Sequence, residues 1–159
     1  HPARNSFTLP AHEANLIPGH GQGIKYTGSP AGFSNNWIKE WTDQNAYPEW
    51  ELNILEAGKY AVEIQYNLAP ENVGTKIAIE FPGNGSVSKT LNHPFLLPLV
   101  AKPNRLLPAD GYEEKAAWKW TGLGTVELQK GMTLMQAKTL KISGGASIEL
   151  RSVRLTPAL

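Results

Sequence analysis

Short runs of alternating polarity set the tightest limit on what this chain can fold into. In "WELNIL" (50–55) Trp50, Leu52 and Ile54 fall on one side and Glu51 and Asn53 on the other. In "YAVEIQY" (60–66) Tyr60, Val62, Ile64 and Tyr66 alternate with Ala61, Glu63 and Gln65. Successive side chains of a strand point to opposite faces, so these runs are half-buried strands, and no segment of useful length carries helical spacing. The Gly-containing "EAGK" between them predicts an antiparallel hairpin over 50–66.

The pattern recurs. "KIAIEF" (76–81), the turn "PGNG" (82–85) and "SVSKT" (86–90) predict a second hairpin. "TVEL" (125–128), "MTLMQA" (132–137), "LKI" (140–142) and "SIELRSVRL" (147–155) follow, and "EANLI" (13–17) and "GIKY" (23–26) precede. About nine antiparallel strands with Gly/Pro turns and no intervening helices make an all-β chain, a β-sandwich or jelly roll rather than a parallel α/β sheet. Two stretches stand outside this pattern. Residues 27–49 are a long polar connection holding Trp37, Trp41 and Tyr47, and 91–112 carries Pro94, Pro98, Pro103 and Pro108, which bar a helix or central strand. One edge strand is expected near Phe95–Val100, its apolar residues laid on the sandwich.

With 159 residues, 41% apolar and 18% charged, the chain is expected to form one domain over 1–159 that needs no disulfide, and it has no cysteine to make one. No apolar run approaches the roughly 18–20 residues that span a bilayer, so no membrane insertion is expected. "HPARNSFTLP" lacks the apolar stretch of a secretory signal, so an exported parent would carry its signal outside this segment. The net charge of +1 hides a split: residues 1–80 hold nine acids against five Lys/Arg, and 81–159 hold five acids against ten. Such a basic half suits an anionic ligand, or is spread over solvated strand faces.

Several chemistries lack their residues. No G-x-S-x-G elbow accompanies the histidines, HExxH is missing, and His12 and His20 lack a clustered third metal ligand. "GHGQG" (19–23) reads as a turn, not a phosphate loop. Glu40, Asp43, Glu49 and Glu51 lie close in sequence, but a hydrolytic cleft takes more chain than the sandwich leaves over. Basic residues are not arranged for nucleic acid.

The tryptophans are the residues left to explain. Sugar rings present C–H faces that stack on aromatic rings while neighbouring amides and charges bond the hydroxyls. Two clusters meet that description: Asn35, Asn36, Trp37, Trp41 and Tyr47, and Lys115, Trp118, Lys119 and Trp120. Trp50 continues the alternation into Leu52 and Ile54 and is expected in the core, and Trp120 is expected to pack inward. Trp37 and Trp41 either stand in solvent or plug the end of the sandwich, and Trp118 is expected at the surface.

The order of "LPAHEANLIPG", "GFSNNWIKEWTDQNAYPEWELNILEAGKYAVEIQYNLAPENVGTKIAIEF", "AAWKWTGLGTVELQKGMTLMQA" and "IELRSVRL" resembles the non-catalytic C-terminal β-sandwich of bacterial sulfatases, itself similar to carbohydrate-binding modules of the family 6 and 35 type. The resemblance implies a galactose-binding-like jelly roll, excised from a larger exported bacterial enzyme that is secreted, periplasmic or at the cell surface. It also implies a structural calcium, for which Glu13 and Glu149 stand near the matching positions; no other cofactor is required. The sulfatase nucleophile motif, Cys or Ser followed by x-Pro-x-Arg, is absent, so no catalysis is expected.

The partner is then a polysaccharide or oligosaccharide, plausibly sulfated or otherwise anionic, delivered to a covalently linked catalytic domain. Trp37, Trp41 or Trp118 would stack the sugar, with Tyr47 nearby and Asn35, Asn36 and Asp43 bonding hydroxyls. Arg105, Lys115 and Lys119 would meet sulfate or carboxylate groups. The rivals are a structural domain that packs on its catalytic neighbour without binding glycan, and a small jelly-roll lyase using Tyr112 or Tyr47 with Arg105 and a His.

Overall fold

A computed structural model describes residues 6–27, 37–95 and 118–158. Among these, eleven strands form two antiparallel sheets: β1 (Phe7–Pro10), β2 (Asn15–Ile17), β3 (Lys25–Tyr26), β4 (Ile38–Lys39), β5 (Tyr47–Ile54), β6 (Gly58–Asn67), β7 (Lys76–Phe81), β8 (Gly85–Thr90), β9 (Lys119–Leu128), β10 (Gly131–Lys141) and β11 (Glu149–Pro157). One sheet runs β3-β4-β11-β6-β9, with β1 also on β11; the other runs β2-β5-β10-β7-β8. The all-β sandwich expected from the alternation is what forms. Two strands beyond the expected nine or so are present, and the short ones that the alternation did not mark are β1, four residues, and β4, two residues.

The core lies between the sheets. Trp50, Leu52 and Ile54 of β5 face Tyr60, Val62, Ile64 and Tyr66 of β6 across it, all buried. Trp50 donates its indole N–H to the Pro10 carbonyl at 3.0 Å, so the one polar atom of the ring is satisfied inside. Tyr26 donates its phenol to the Ala14 carbonyl, and burial pushes its pKa and that of Tyr66 up.

One connection differs from expectation. Residues 50–66 are not a hairpin: β5 pairs with β2 and β10, whereas β6 pairs with β11 and β9 in the opposite sheet. The turn between them is an arch over the sandwich edge. Alternation reports that a strand has one buried face and is blind to whether its sequence neighbour lies beside it or across the core. The β7–β8 hairpin does form, with Asn84 N–H donating to the Phe81 carbonyl at 2.7 Å in the "PGNG" turn. "MTLMQA" and "LKI" are one strand, β10, bulged between Thr139 and Lys141. Of the edge strand near 95–100, Phe95 bridges Leu68 by two backbone bonds of 2.6 and 2.8 Å, and the rest lies outside the described residues.

The loop before β11 has a position that only glycine fits. Gly144 has φ 73°, and a Cβ there would run into the Glu71 carbonyl oxygen. Gly144→Ala is therefore expected to lower stability by about 1–3 kcal/mol, readable as a shifted urea midpoint. A neutral outcome would mean that this loop contact does not persist in solution.

Candidate functional site

The outward face of the six-stranded sheet gathers the aromatic and polar side chains that the strands do not bury. On β6, Glu63, Gln65 and Asn67 share one parity, opposite to the buried Val62, Ile64 and Tyr66. Its two neighbours reach the same face through irregularities. On β9, Val62 pairs with Gly124 but Glu63 pairs with Gly122, so Leu123 is an extra residue and the parity flips. Val126 and Leu128 point inward beyond the bulge, and Trp120, opposite Gln65, points outward before it. On β11 the register shifts between Leu150 and Ser152, so Arg151 is the extra residue, and Ser152 and Arg154 face out while Val153 and Leu155 stay buried.

Trp120, expected inside, is thus half-buried on the outer face. The Arg154 guanidinium carbon stands 4.0 Å from its ring centroid. Arg154 is held there by Glu63, Nε to Oε1 at 3.0 Å and Nη2 to Oε2 at 3.1 Å, and this hydrogen bond raises the Arg154 pKa further. Beside them the Ser152 hydroxyl donates to Gln65 Oε1 at 2.8 Å, a bond that does not use the two N–H donors of the Gln65 amide. A Cβ at Gly122 would meet nothing within 4 Å, so the surface flanking Trp120 is open. Arg154 and Glu63 side chains are 34% and 28% exposed, which screens the pair. A double-mutant cycle of Glu63→Ala and Arg154→Ala is expected to give a coupling of about 1 kcal/mol, and zero would show that the pair does not order the face.

Trp118, two residues earlier on the same side, meets Trp37 edge-on with centroids 5.3 Å apart at 71°. Trp37 is only 3% exposed. Its expected role as a solvent-facing stacking ring is corrected: it supports Trp118 from behind. Trp41 is corrected outright, because its ring is 0% exposed and its indole N–H is bonded to the Ala46 carbonyl at 2.8 Å, so it offers no face to a ligand. Trp41 belongs to the buried core, and Trp37 is buried against Trp118.

The other predicted residues scatter. Asp43 is exposed but accepts the Asn45 N–H at 2.8 Å and packs beside Gly23, which makes it a turn residue. Tyr47 lies on β5, in the other sheet, under the Lys138 ammonium at 4.2 Å from its ring. Lys119 is exposed and opposite Tyr66, with the parity opposite to the tryptophans on either side. Asn35, Asn36, Arg105, Lys115 and Tyr112 lie outside the described residues. Glu13 is exposed on the turn beside β11 and Glu149 opens β11 half-buried, yet no third Asp, Glu, His or Cys joins such a group among the described residues. Two carboxylates supply at most about four of the roughly six to eight oxygens that calcium takes, so backbone carbonyls or water would have to supply the rest. Arg151 and Arg154 were not legible as candidates, since the bulge on β11 decides which way they point; Glu63 and Gln65 were legible as the outward side of β6, but not as neighbours of Trp120, which the bulge on β9 turns toward them.

A concavity of about 470 Å³ opens on the five-stranded sheet between Glu51, Pro82, Asn84, Met132, Thr133 and Leu134, with no aromatic ring among its described lining residues.

No protein-family model and no curated protein matches the chain. Solved structures do. A native family 35 carbohydrate-binding module from Clostridium thermocellum superposes with a TM-score of 0.60 at 15% identity, over 98% of this chain and 100% of that one. The CBM6cm-2 module of Cellvibrio mixtus lichenase 5A, solved in complex with cellotriose, gives 0.52 at 19%, over 96% and 98%. The GH26-CBM35 β-(1,4)-mannanase of Podospora anserina gives 0.63 at 11%, over 99% of this chain but only 28% of that chain. At these identities the likeness shows the fold: this is the β-sandwich that carbohydrate-binding modules of families 6 and 35 use.

Proposed function

We propose that the chain is a non-catalytic carbohydrate-binding module whose contact surface is the outer face of the six-stranded sheet. The observation that carries this reading is the outward row of Trp118 and Trp120, each with an arginine against its ring and hydrogen-bonding side chains between them. A sugar ring laid on these indoles would meet apolar C–H contact from the rings. Gln65, held by the buried Ser152, and Arg154 would orient its hydroxyls. Water leaves both surfaces on contact, and the preset guanidinium and amide groups replace the hydroxyls' lost hydrogen bonds. The structural likeness to glycan-binding modules, one of them solved with cellotriose, supports the reading.

The finer proposal is that the module belongs to an exported bacterial polysaccharide-degrading enzyme, a sulfatase, and prefers an anionic or sulfated glycan. The motif order in the sequence and the basic second half support it. Holding the polymer beside a linked active site would raise its local concentration without any new contact to the reacting bond. No helix of the described residues is long and apolar enough to cross a membrane.

Affinity-gel electrophoresis and calorimetry against neutral and anionic polysaccharides, including agarose, carrageenan, alginate, pectate and glycosaminoglycans, test the reading. Retardation by at least one polymer is the expected result. The burial of Trp37 and Trp41 favours a second reading, a structural domain that seats against its catalytic neighbour; no retardation by any polymer would favour that one.

A further inference from the structure

We infer that Arg151 is the anion-reading residue of this face, taking a carboxylate or sulfate substituent of the sugar stacked on Trp118. The inference rests on the glycan-binding reading and narrows its ligand class. It begins from the charge on the face. Both arginines of β11 point outward, but they are not equivalent. Arg154 has its guanidinium occupied by two bonds to Glu63, so its charge is already met. Arg151 has no carboxylate partner among the described residues, and the Trp118 ring at 5.7 Å is its contact there. That distance is near the outer limit of about 6 Å for a cation over a ring, so Arg151 is loosely held. Among the described residues its N–H donors are unspent, in the planar fork that fits a carboxylate or sulfate bidentately.

The backbone explains why it is there. Arg151 is the extra residue of the bulge between Leu150 and Ser152, which turns it to the solvent beside the rings instead of pairing it into the ladder. The acid closest to it along β11, Glu149, pairs with Asn67 in the register and falls opposite Lys39 by continuation of the Leu150–Ile38 pair. Asn67 adds a second observation. It is 1% exposed, its amide nitrogen and oxygen have no hydrogen-bond partner, and it lies between the strands that carry Trp118 and Arg151. A buried amide with both atoms unmet, on the outward parity of β6, is hydrogen-bonding capacity that this part of the face leaves unspent.

The experiment uses the full chain and matched polymers differing in charge: pectate against its methyl ester, and carrageenan against its desulfated form. Binding is measured by calorimetry across a salt series for wild type, Arg151→Gln and Arg151→Lys, with near-ultraviolet circular dichroism to confirm the fold. The wild type is expected to bind one anionic polymer roughly tenfold or more above its neutral partner, with affinity falling as salt rises. Arg151→Gln should bring that polymer down to the neutral level and flatten the salt response, while Arg151→Lys keeps the salt response and part of the preference. Equal binding of charged and neutral members by the wild type, or an unchanged preference in Arg151→Gln, overturns the assignment and leaves glycan binding standing. Binding of neither member of either pair by the wild type overturns the assignment, and glycan binding falls with it when the wider polymer panel also shows no retardation.

Discussion

Trp41→Ala is expected to lower the free energy of unfolding by roughly 3–5 kcal/mol, the range for removing a large buried aromatic side chain. The ring is 0% exposed within the core, and its N–H is bonded to the Ala46 carbonyl at 2.8 Å. Its own carbonyl accepts the Ser147 N–H at 2.7 Å, so one residue ties the β4–β5 connection to the loop ahead of β11. Truncation leaves a cavity and an orphaned carbonyl at once. For a chain of this size the loss corresponds to a fall of roughly 6–20 °C in Tm, measurable by calorimetry. A loss under about 1 kcal/mol would show that the site can do without the ring, and would reopen Trp41 as a group free to meet ligand.

Trp118→Ala acts on a different property. The ring sits half-buried at the surface, backed by Trp37 and touched by Arg151. Removing it takes away the apolar platform and the seat of Arg151 together. The expected result is a loss of about 2–3 kcal/mol in binding, on the order of 30- to 150-fold in Kd, for any polysaccharide that the wild type retains. Stability should change less than in Trp41→Ala, because the ring is only partly withdrawn from water. Calorimetric titration of both variants against the retained polymer separates the two roles. Unchanged affinity in Trp118→Ala, with the fold intact, would move the binding surface elsewhere on the molecule, and the groove beside Met132 would be the next face to test.

The contrast between these tryptophans marks the limit of reading rings from their neighbours in sequence. Trp50 was legible as core because it continues an unbroken alternation into Leu52 and Ile54. Trp41 sits among Lys39, Glu40, Thr42 and Asp43, polar company that argues for solvent, and yet it is the more completely buried of the two. The connection that carries it folds back over the end of the sandwich. A residue in such a connection takes its burial from elements distant in sequence, here the segment around Ser147.

Strand identity and sandwich class follow from the order of residues alone, because alternation is a local property: one strand, one wet face and one dry face. The inward faces of β5 and β6 could be named residue by residue from it. Three outcomes belong to the folded chain. Whether β5 and β6 lie side by side or across the core depends on which partners fill their hydrogen-bond ladders. The direction of Trp120 depends on the single extra residue at Leu123, and that of Arg151 on the shift between Leu150 and Ser152. A bulge is a mismatch between two paired strands, so neither strand's sequence announces it, and one residue of slip exchanges the core face for the solvent face. The core was therefore readable in advance, while the candidate binding face, built around two such slips, was not.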